Sequence, residues 1–347
     1  MQCFGLLLGL VMVLSGTINP ASAAEPTDRF RFRQASGGEI VVTCFISEYN
    51  ASQIRYRLKH DGPTLTKSAD QVVEVVTPLS EPHVNGLREF ADGQIAKAEK
   101  EFQAALVKES RAWVRRDILA MLIRCAFHRT DYVAAGNRFL AIIRSEPNTR
   151  HIALAPLWWT QSRVAPQLRS EALAWNKRDQ EFAQLLSASV LLLDTEHTAA
   201  ARIQMSRLAT TAAEPWRQLA KMQLWRLSIH RDQVSTADLN LWAADIRFLR
   251  ESLRGGPWYT LGEAYRSKQQ YGQAAAAFLW VPLVYGDNVH LAALSMQHAA
   301  DSLRTIGRVA DADTLEREII SRYPNSEAAT QLRSAAESEP TNSSRAP

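Results

Sequence analysis

Hydrophobic and polar positions change rhythm once along this chain. Between Arg29 and Pro78 the rhythm has period two, the signature of half-buried strands. Arg29-Phe30-Arg31-Phe32-Arg33 alternates strictly, and Gly37-Gly38 marks a turn. Ile40 to Ile46 is a β-branched run, Tyr49-Asn50-Ala51-Ser52 turns again, and Ile54, Tyr56 and Leu58 alternate with Arg55, Arg57 and Lys59. His60-Asp61-Gly62-Pro63 is a further turn, and Val72-Val73-Glu74-Val75-Val76 closes the set. Four or five short strands in so short a segment predict a small SH3-like or Sm-like β-barrel over residues 29–78. From Leu79 to Ala336 apolar residues recur instead at steps of three and four, which predicts helices throughout. The expected fold class is therefore mainly α.

Within the helical part the first question is whether the pattern repeats, because a repeat decides the architecture. Trp258-x-x-Leu261-Gly262-x-x-Tyr265 is followed by Ala274-x-x-x-Phe278. Trp258, Leu261 and Tyr265 fall on one helix face. Gly262 and Ala274 are small enough for two antiparallel helices to approach, with Phe278 filling the groove beside them. Weaker copies follow the same order. Ala98 and Phe102 lie after Gly93, Ala135 and Phe139 precede Pro147, and Ala312 sits in a helix running from Gly307 to Pro324. The small positions are 37 residues apart from Ala98 to Ala135 and 38 apart from Ala274 to Ala312. Residues 150–255 fit less well. Leu185 to Leu193, Ala199 to Leu208 and Trp216 to Leu227 read as degenerate helical hairpins of the same stack.

The spacing from Trp258 to Phe278 is that of the tetratricopeptide repeat (TPR) without its closing Pro, and the copies are three or four residues longer than the ideal of about 34. The C-terminal third resembles a TPR protein. As a whole the chain resembles exported TPR-like proteins of planctomycete-type bacteria, which join a small β head to a helical-repeat body. The strand from Asp70 to Val75 and the Ala155-Pro156-Leu157-Trp158-Trp159 segment carry that wider likeness. The resemblance implies an α-solenoid of antiparallel helical hairpins and assigns no activity.

Composition adds a compartment. Residues 1–24 carry no charged side chain, and the apolar run from Phe4 to Ile18 ends in Ala21-Ser22-Ala23-Ala24. A run of about 15 apolar residues is short of the roughly 20 a membrane span needs. It reads as a secretory signal cleaved after Ala23 or Ala24, so the protein is expected to be exported to the periplasm or cell envelope. The alternative is retention of that segment as an anchor. Two cysteines remain, Cys44 and Cys125, too few for a disulfide framework, and both read as small buried hydrophobes. The tail, residues 337–347, is rich in Ser, Pro and Asn and is expected to be disordered.

Charge and motifs narrow the function classes. With 40 basic and 36 acidic residues the net charge is +4, a balance that gives no reason to expect nucleic-acid binding. The eight histidines are scattered. No His-Glu-x-x-His, Cys-x-x-Cys, EF-hand loop, P-loop or Gly-x-Ser-x-Gly occurs, so no metal, cofactor or enzyme activity is expected. On a curved stack of hairpins the first helix of each pair lines the concave side. That line runs through Tyr259, Glu263 and Arg266 in one repeat and Gln297, Asp301 and Arg304 in the next, with Arg124 and His128 in an earlier one. Acid and arginine in register suit an extended peptide or its carboxylate. The same residues also suit plain intrahelical salt bridges.

In the head, Arg29, Arg31, Arg33, Arg55, Arg57 and Lys59 all point outward, either as a polyanion patch or as the solvated face of a sheet. Nine tryptophans are expected mostly to wedge between helices, with one of the adjacent Trp158 and Trp159 left exposed, either as plain surface or for binding. The expected function is a non-catalytic exported scaffold that binds a protein or peptide in its groove. The alternatives are a glycan- or polyanion-interacting envelope protein, or a carbohydrate-active enzyme built as a helical toroid.

Overall fold

The computed structural model describes residues 27–35 and 37–338. The proposed signal segment therefore lies outside the described residues, as does most of the tail. The chain divides between Pro78 and Leu79 into two compact units.

The first unit is an antiparallel sheet of five strands: β1 (Asp28–Arg33), β2 (Glu39–Tyr49), β3 (Gln53–Arg57), β4 (Leu65–Ser68) and β5 (Val72–Val76). Their order across the sheet is β4-β3-β2-β1-β5. The alternation in β1 and β3 does what a period of two requires. Phe30, Phe32, Ile54 and Tyr56 are buried with Cys44 and Ile46 of β2, and the intervening arginines face outward. Phe30 meets Tyr56 edge-on at 4.8 Å between ring centres. Asp28 is buried on the same side, where it accepts hydrogen bonds from the Ile46 backbone N–H at 2.7 Å and the Thr77 hydroxyl at 2.5 Å. The expected closed barrel is not formed. β4 and β5 are the two edges of the sheet, so its ends do not pair as closure requires. β4 carries no alternation of its own, and its short, largely exposed Leu-Thr-Lys-Ser sequence left no pattern to read.

The second unit is helical. Its helices are α1 (Glu81–Ala91), α2 (Ile95–Lys108), α3 (Ala112–His128), α4 (Tyr132–Ser145), α5 (Pro166–Asn176), α6 (Glu181–Leu191), α7 (Thr198–Thr211), α8 (Trp216–His230), α9 (Thr236–Phe248), α10 (Gly255–Ser267), α11 (Tyr271–Val284), α12 (Val289–Thr305), α13 (Val309–Arg322) and α14 (Glu327–Ser338). The last helix runs two residues into the segment expected to be disordered. Most consecutive helices pack on one another, and α10 packs on α8 as well as on α9.

In the α10–α11 hairpin the spacing becomes packing. Leu261, Ala274 and Phe278 are fully buried, and Trp258 and Tyr265 pack against the same core. A Cβ on Gly262 would lie 2.6 Å from the Phe278 ring, so the helices approach only because residue 262 has none. Gly86 of α1 and Phe102 of α2 stand at the same sequence separation and make the same contact, at 2.8 Å. This copy of the glycine position was not picked out from the sequence, because no Trp or Tyr accompanies it.

Five helix-to-helix turns share one geometry. Gly93, Thr130, Asp232, Gln269 and Gly307 have φ of 71°, 54°, 52°, 59° and 79°. Each donates its N–H to the carbonyl three residues back, and the residue after it donates five back. That pair of bonds is the Schellman helix stop, which needs one left-handed residue. Between α4 and α5 the run of helices is interrupted by residues 146–165, an irregular segment that includes a short 3-10 turn at Ile152–Leu154.

The helices also meet across a long sequence gap. α12 packs beside α3, the Asn288 amide donates to the Tyr132 hydroxyl at 3.1 Å, and Arg124 reaches Asp287 at 2.8 Å.

Candidate functional site

The residues expected to line an open groove are mostly engaged with other helices. Tyr259 is 2% exposed and Glu263 7%. Both face α12, where the Tyr259 ring lies 5.9 Å from that of His298. Glu263 holds Arg266 at 2.9 Å, and Arg266 also contacts His298 Nδ1 at 3.1 Å. Asp301 stands 3.8 Å from the same imidazole. This step of α10 is thus the seam with the next first helix rather than a free wall. Arg304 is taken by Glu316 and Asp313 of α13 at 2.5 and 2.6 Å, which hold its proton more firmly than usual. Gln297 pairs with Gln331 of α14 at 3.1 Å. Arg124 is tied to Asp287, and His128 meets the edge of Phe90 and lines a cavity with Arg322 and Tyr323. The structure therefore gathers Tyr259, Glu263, Arg266 and Asp301 around His298, and leaves the other four apart from them.

In the head the alternation ends with β3 at Arg57, so that Leu58 is exposed and Lys59 lies beyond the strand. Arg29, Arg31, Arg33, Arg55 and Arg57 share the outward face, but not as free charges. Arg31 bridges Glu39 and Glu74, each at 3.0 Å. Arg33 is 3.9 Å from Glu39, and Glu48 is the cross-strand partner of Arg55. Carboxylates alternate with the arginines on this surface, which lowers its pull on a polyanion.

The site that stands out is built around the irregular segment 155–165, whose Pro156, Leu157, Trp159 and Thr160 are buried. A buried stretch without secondary structure must find partners for its main-chain groups. Here side chains of α6 and α8 supply them. The Trp158 N–H donates to Ser189 Oγ at 3.1 Å, and Gln223 Nε2 donates to the Trp158 carbonyl at 3.2 Å. Arg226 Nη2 donates to the Thr160 carbonyl at 2.7 Å, while its Nη1 reaches the Ser189 carbonyl and Gln223 Oε1 at 2.7 Å each. Arg226 is fully buried, and that burial pulls its pKa down to about 9.

Of the two adjacent tryptophans, Trp159 is buried and Trp158 is half-buried. Trp158 meets Tyr132 edge-on at 4.9 Å and stands between two cavities. The larger, of about 710 Å3, is lined by Tyr132, Trp158, Arg163, His290 and Glu327 with the Arg129–Asp131 turn. Burial pushes the Tyr132 hydroxyl up to about 12 and lowers His290, so both are neutral near pH 7. The smaller, of about 310 Å3, shares Trp158, Ser162 and Arg163 with the larger and is lined further by Gln161, Arg169, Asp194 and Arg226. Among the described residues no three His, Cys, Asp or Glu side chains converge as a metal site, and no helix is long and apolar enough to cross a membrane.

Sequence reasoning reached Trp158 and missed the rest of this site. One signal was present. On α8 the buried face takes in Leu219, Met222, Gln223 and Arg226, so two polar residues occupy core positions of an otherwise apolar stripe. Tyr132, Arg163, His290 and Glu327 carried no such mark. No family model, curated protein or solved structure matches the chain.

Proposed function

We propose that this protein is a non-catalytic exported scaffold whose helical body, a TPR-like solenoid of antiparallel hairpins, holds a segment of a partner protein. The single observation that carries the reading is the body's treatment of its own chain. It already binds an irregular segment, residues 155–160, through side-chain bonds to main-chain groups from Ser189, Gln223 and Arg226. Such bonds recognise backbone more than side chains, the currency of peptide recognition. The larger cavity continues that cradle beyond Trp158, with Tyr132, Trp158 and His290 as apolar contact area and Arg163 and Glu327 as charged ends. Aromatic anchors beside a few polar groups are typical of binding centres. Repetition of the Gly–Phe approach and of the left-handed turn supports the TPR-like part of the reading. The lack of nucleophile and metal motifs supports the non-catalytic part.

The test is a photo-crosslinker placed at Gln167, on the cavity rim, or at Val107, exposed on α2 far from it in sequence. Both variants are expressed in the native host and the envelope fraction is analysed by mass spectrometry. A partner joined through position 167 and not through 107 is the expected result. Equal labelling at both positions, or none at 167, removes the cavity as the binding place.

A further inference from the structure

Beyond the residues it shares with the larger cavity, the smaller one has a chemistry that partner binding does not use. Its walls are apolar at Val164, Val190 and Leu193 and cationic at Arg163, Arg169 and Arg226, with Asp194 as the lining carboxylate. Asp194 is already matched, to Arg169 at 2.6 Å and to His197 at 2.7 Å. Arg226 has no carboxylate partner. Its Nη protons go to two backbone carbonyls and one amide oxygen, and its Nε has no protein partner. A guanidinium taken out of water loses several kcal/mol of solvation, of which neutral acceptors return only part. A nearby anion is what this charge lacks.

Three further groups stand ready around it. Gln161 buries both its amide oxygen and its amide nitrogen without a protein partner, and Trp158 buries its indole Nε1–H in the same way. Arg163 lies at the mouth, exposed, and forms no hydrogen bond or ion pair with the described residues. Donors thus outnumber acceptors in a space of about 310 Å3 with apolar walls, the size of a small organic molecule rather than a folded partner.

We infer that this cavity binds a small organic carboxylate with a short apolar tail. The tail lies against Val164, Val190 and Leu193. The carboxylate is received by Arg163, the Trp158 indole and the Gln161 amide, in the field of Arg226. The Gln161 amide oxygen remains for a donor on the ligand. The site shares Trp158 and Arg163 with the larger cavity, and titration of the chain without a partner tests it separately from the proposed function.

The test is calorimetric titration of the full chain with hexanoate and with hexanamide, and with the tripeptide Ala-Leu-Val as free acid. Arg163→Gln and Gln161→Leu are the variants, since neither side chain supports the fold through a protein hydrogen bond. Hexanoate is expected to saturate one site, with hexanamide at least about tenfold weaker because it lacks the charge. Each variant is expected to weaken hexanoate by about tenfold or more with an unchanged unfolding midpoint. Equal binding of the amide, or unaltered binding by Arg163→Gln, overturns the proposal. So does saturation by the tripeptide acid alone, which would mark a chain-end site. Absence of saturation by hexanoate up to about 10 mM, a level that still detects weak millimolar sites, also overturns it.

Discussion

At each of the five shared helix stops one residue has to enter the left-handed region, and only two of the five are glycine. For a residue with a Cβ that conformation costs roughly 1–2 kcal/mol. Gln269, with φ of 59°, is exposed. Gln269→Gly should therefore stabilise the protein by about 0.5–1 kcal/mol, after the glycine's greater freedom in the unfolded chain is subtracted. Gly307→Ala should lower stability by about 1 kcal/mol by the reverse argument. Urea unfolding of both variants checks the pair, and equal midpoints would show that the turn carries no strain. These positions were partly legible. Gly93 and Gly307 are visible as helix punctuation, whereas nothing in Thr130, Asp232 or Gln269 announces a left-handed turn.

Gly–Phe contacts close single hairpins, and buried charge joins one hairpin to the next. Glu99 on α2 is 6% exposed. It receives Arg138 of α4 at 2.5 Å and Arg129, just beyond α3, at 2.9 Å. Replacing it by alanine leaves Arg138, mostly buried, without its counter-charge, and breaking a buried pair in this way costs about 3 kcal/mol. Arg308→Ala removes only an exposed bridge to Asp311, and should stay within about 0.5 kcal/mol. Thermal unfolding of the two variants separates the cases. A similar loss in both would show that burial does not govern the difference.

At this scale the sequence was most informative where local period and packing agree. α10 and α11 lie where the spacing of Trp258, Gly262, Ala274 and Phe278 puts them. The first-helix line through Tyr259 and Glu263 was misread because a helix in a stack touches both its own partner and the next first helix. Periodicity marks a helix face without saying which neighbour covers it.

The whole molecule carries a pH dependence set by buried imidazoles. Burial lowers the pKa of His83, His128 and His290 below the ordinary value of 6.5. In the unfolded chain these groups take up protons as pH falls through about 6.5, while in the folded chain they stay neutral to lower pH. The unfolded state then binds more protons, and stability falls as pH drops below about 6.5. Glu109 and Asp194, whose pKa values are lowered mainly by hydrogen bonds and ion pairs, add losses only in the carboxylate range below that. The urea midpoint should thus be lower at pH 5.5 than at pH 7.5, and the difference should shrink in His83→Leu. An unchanged midpoint would show that the imidazoles are protonated in place.

Taken by itself, the sequence determined the change from strand to helix after Pro78, the outward arginines of the head and the hairpin spacing of the second unit. These follow from backbone periods of two and 3.6, which act over a few residues and leave their mark in any window. Only the tertiary structure decided that the sheet stays open, that α12 returns to α3, and that Arg226 meets the Thr160 carbonyl while Tyr132 meets Asn288. Those contacts join residues far apart in the chain, and a cavity between them has no period of its own. Its walls exist only once the long-range packing has chosen which faces meet.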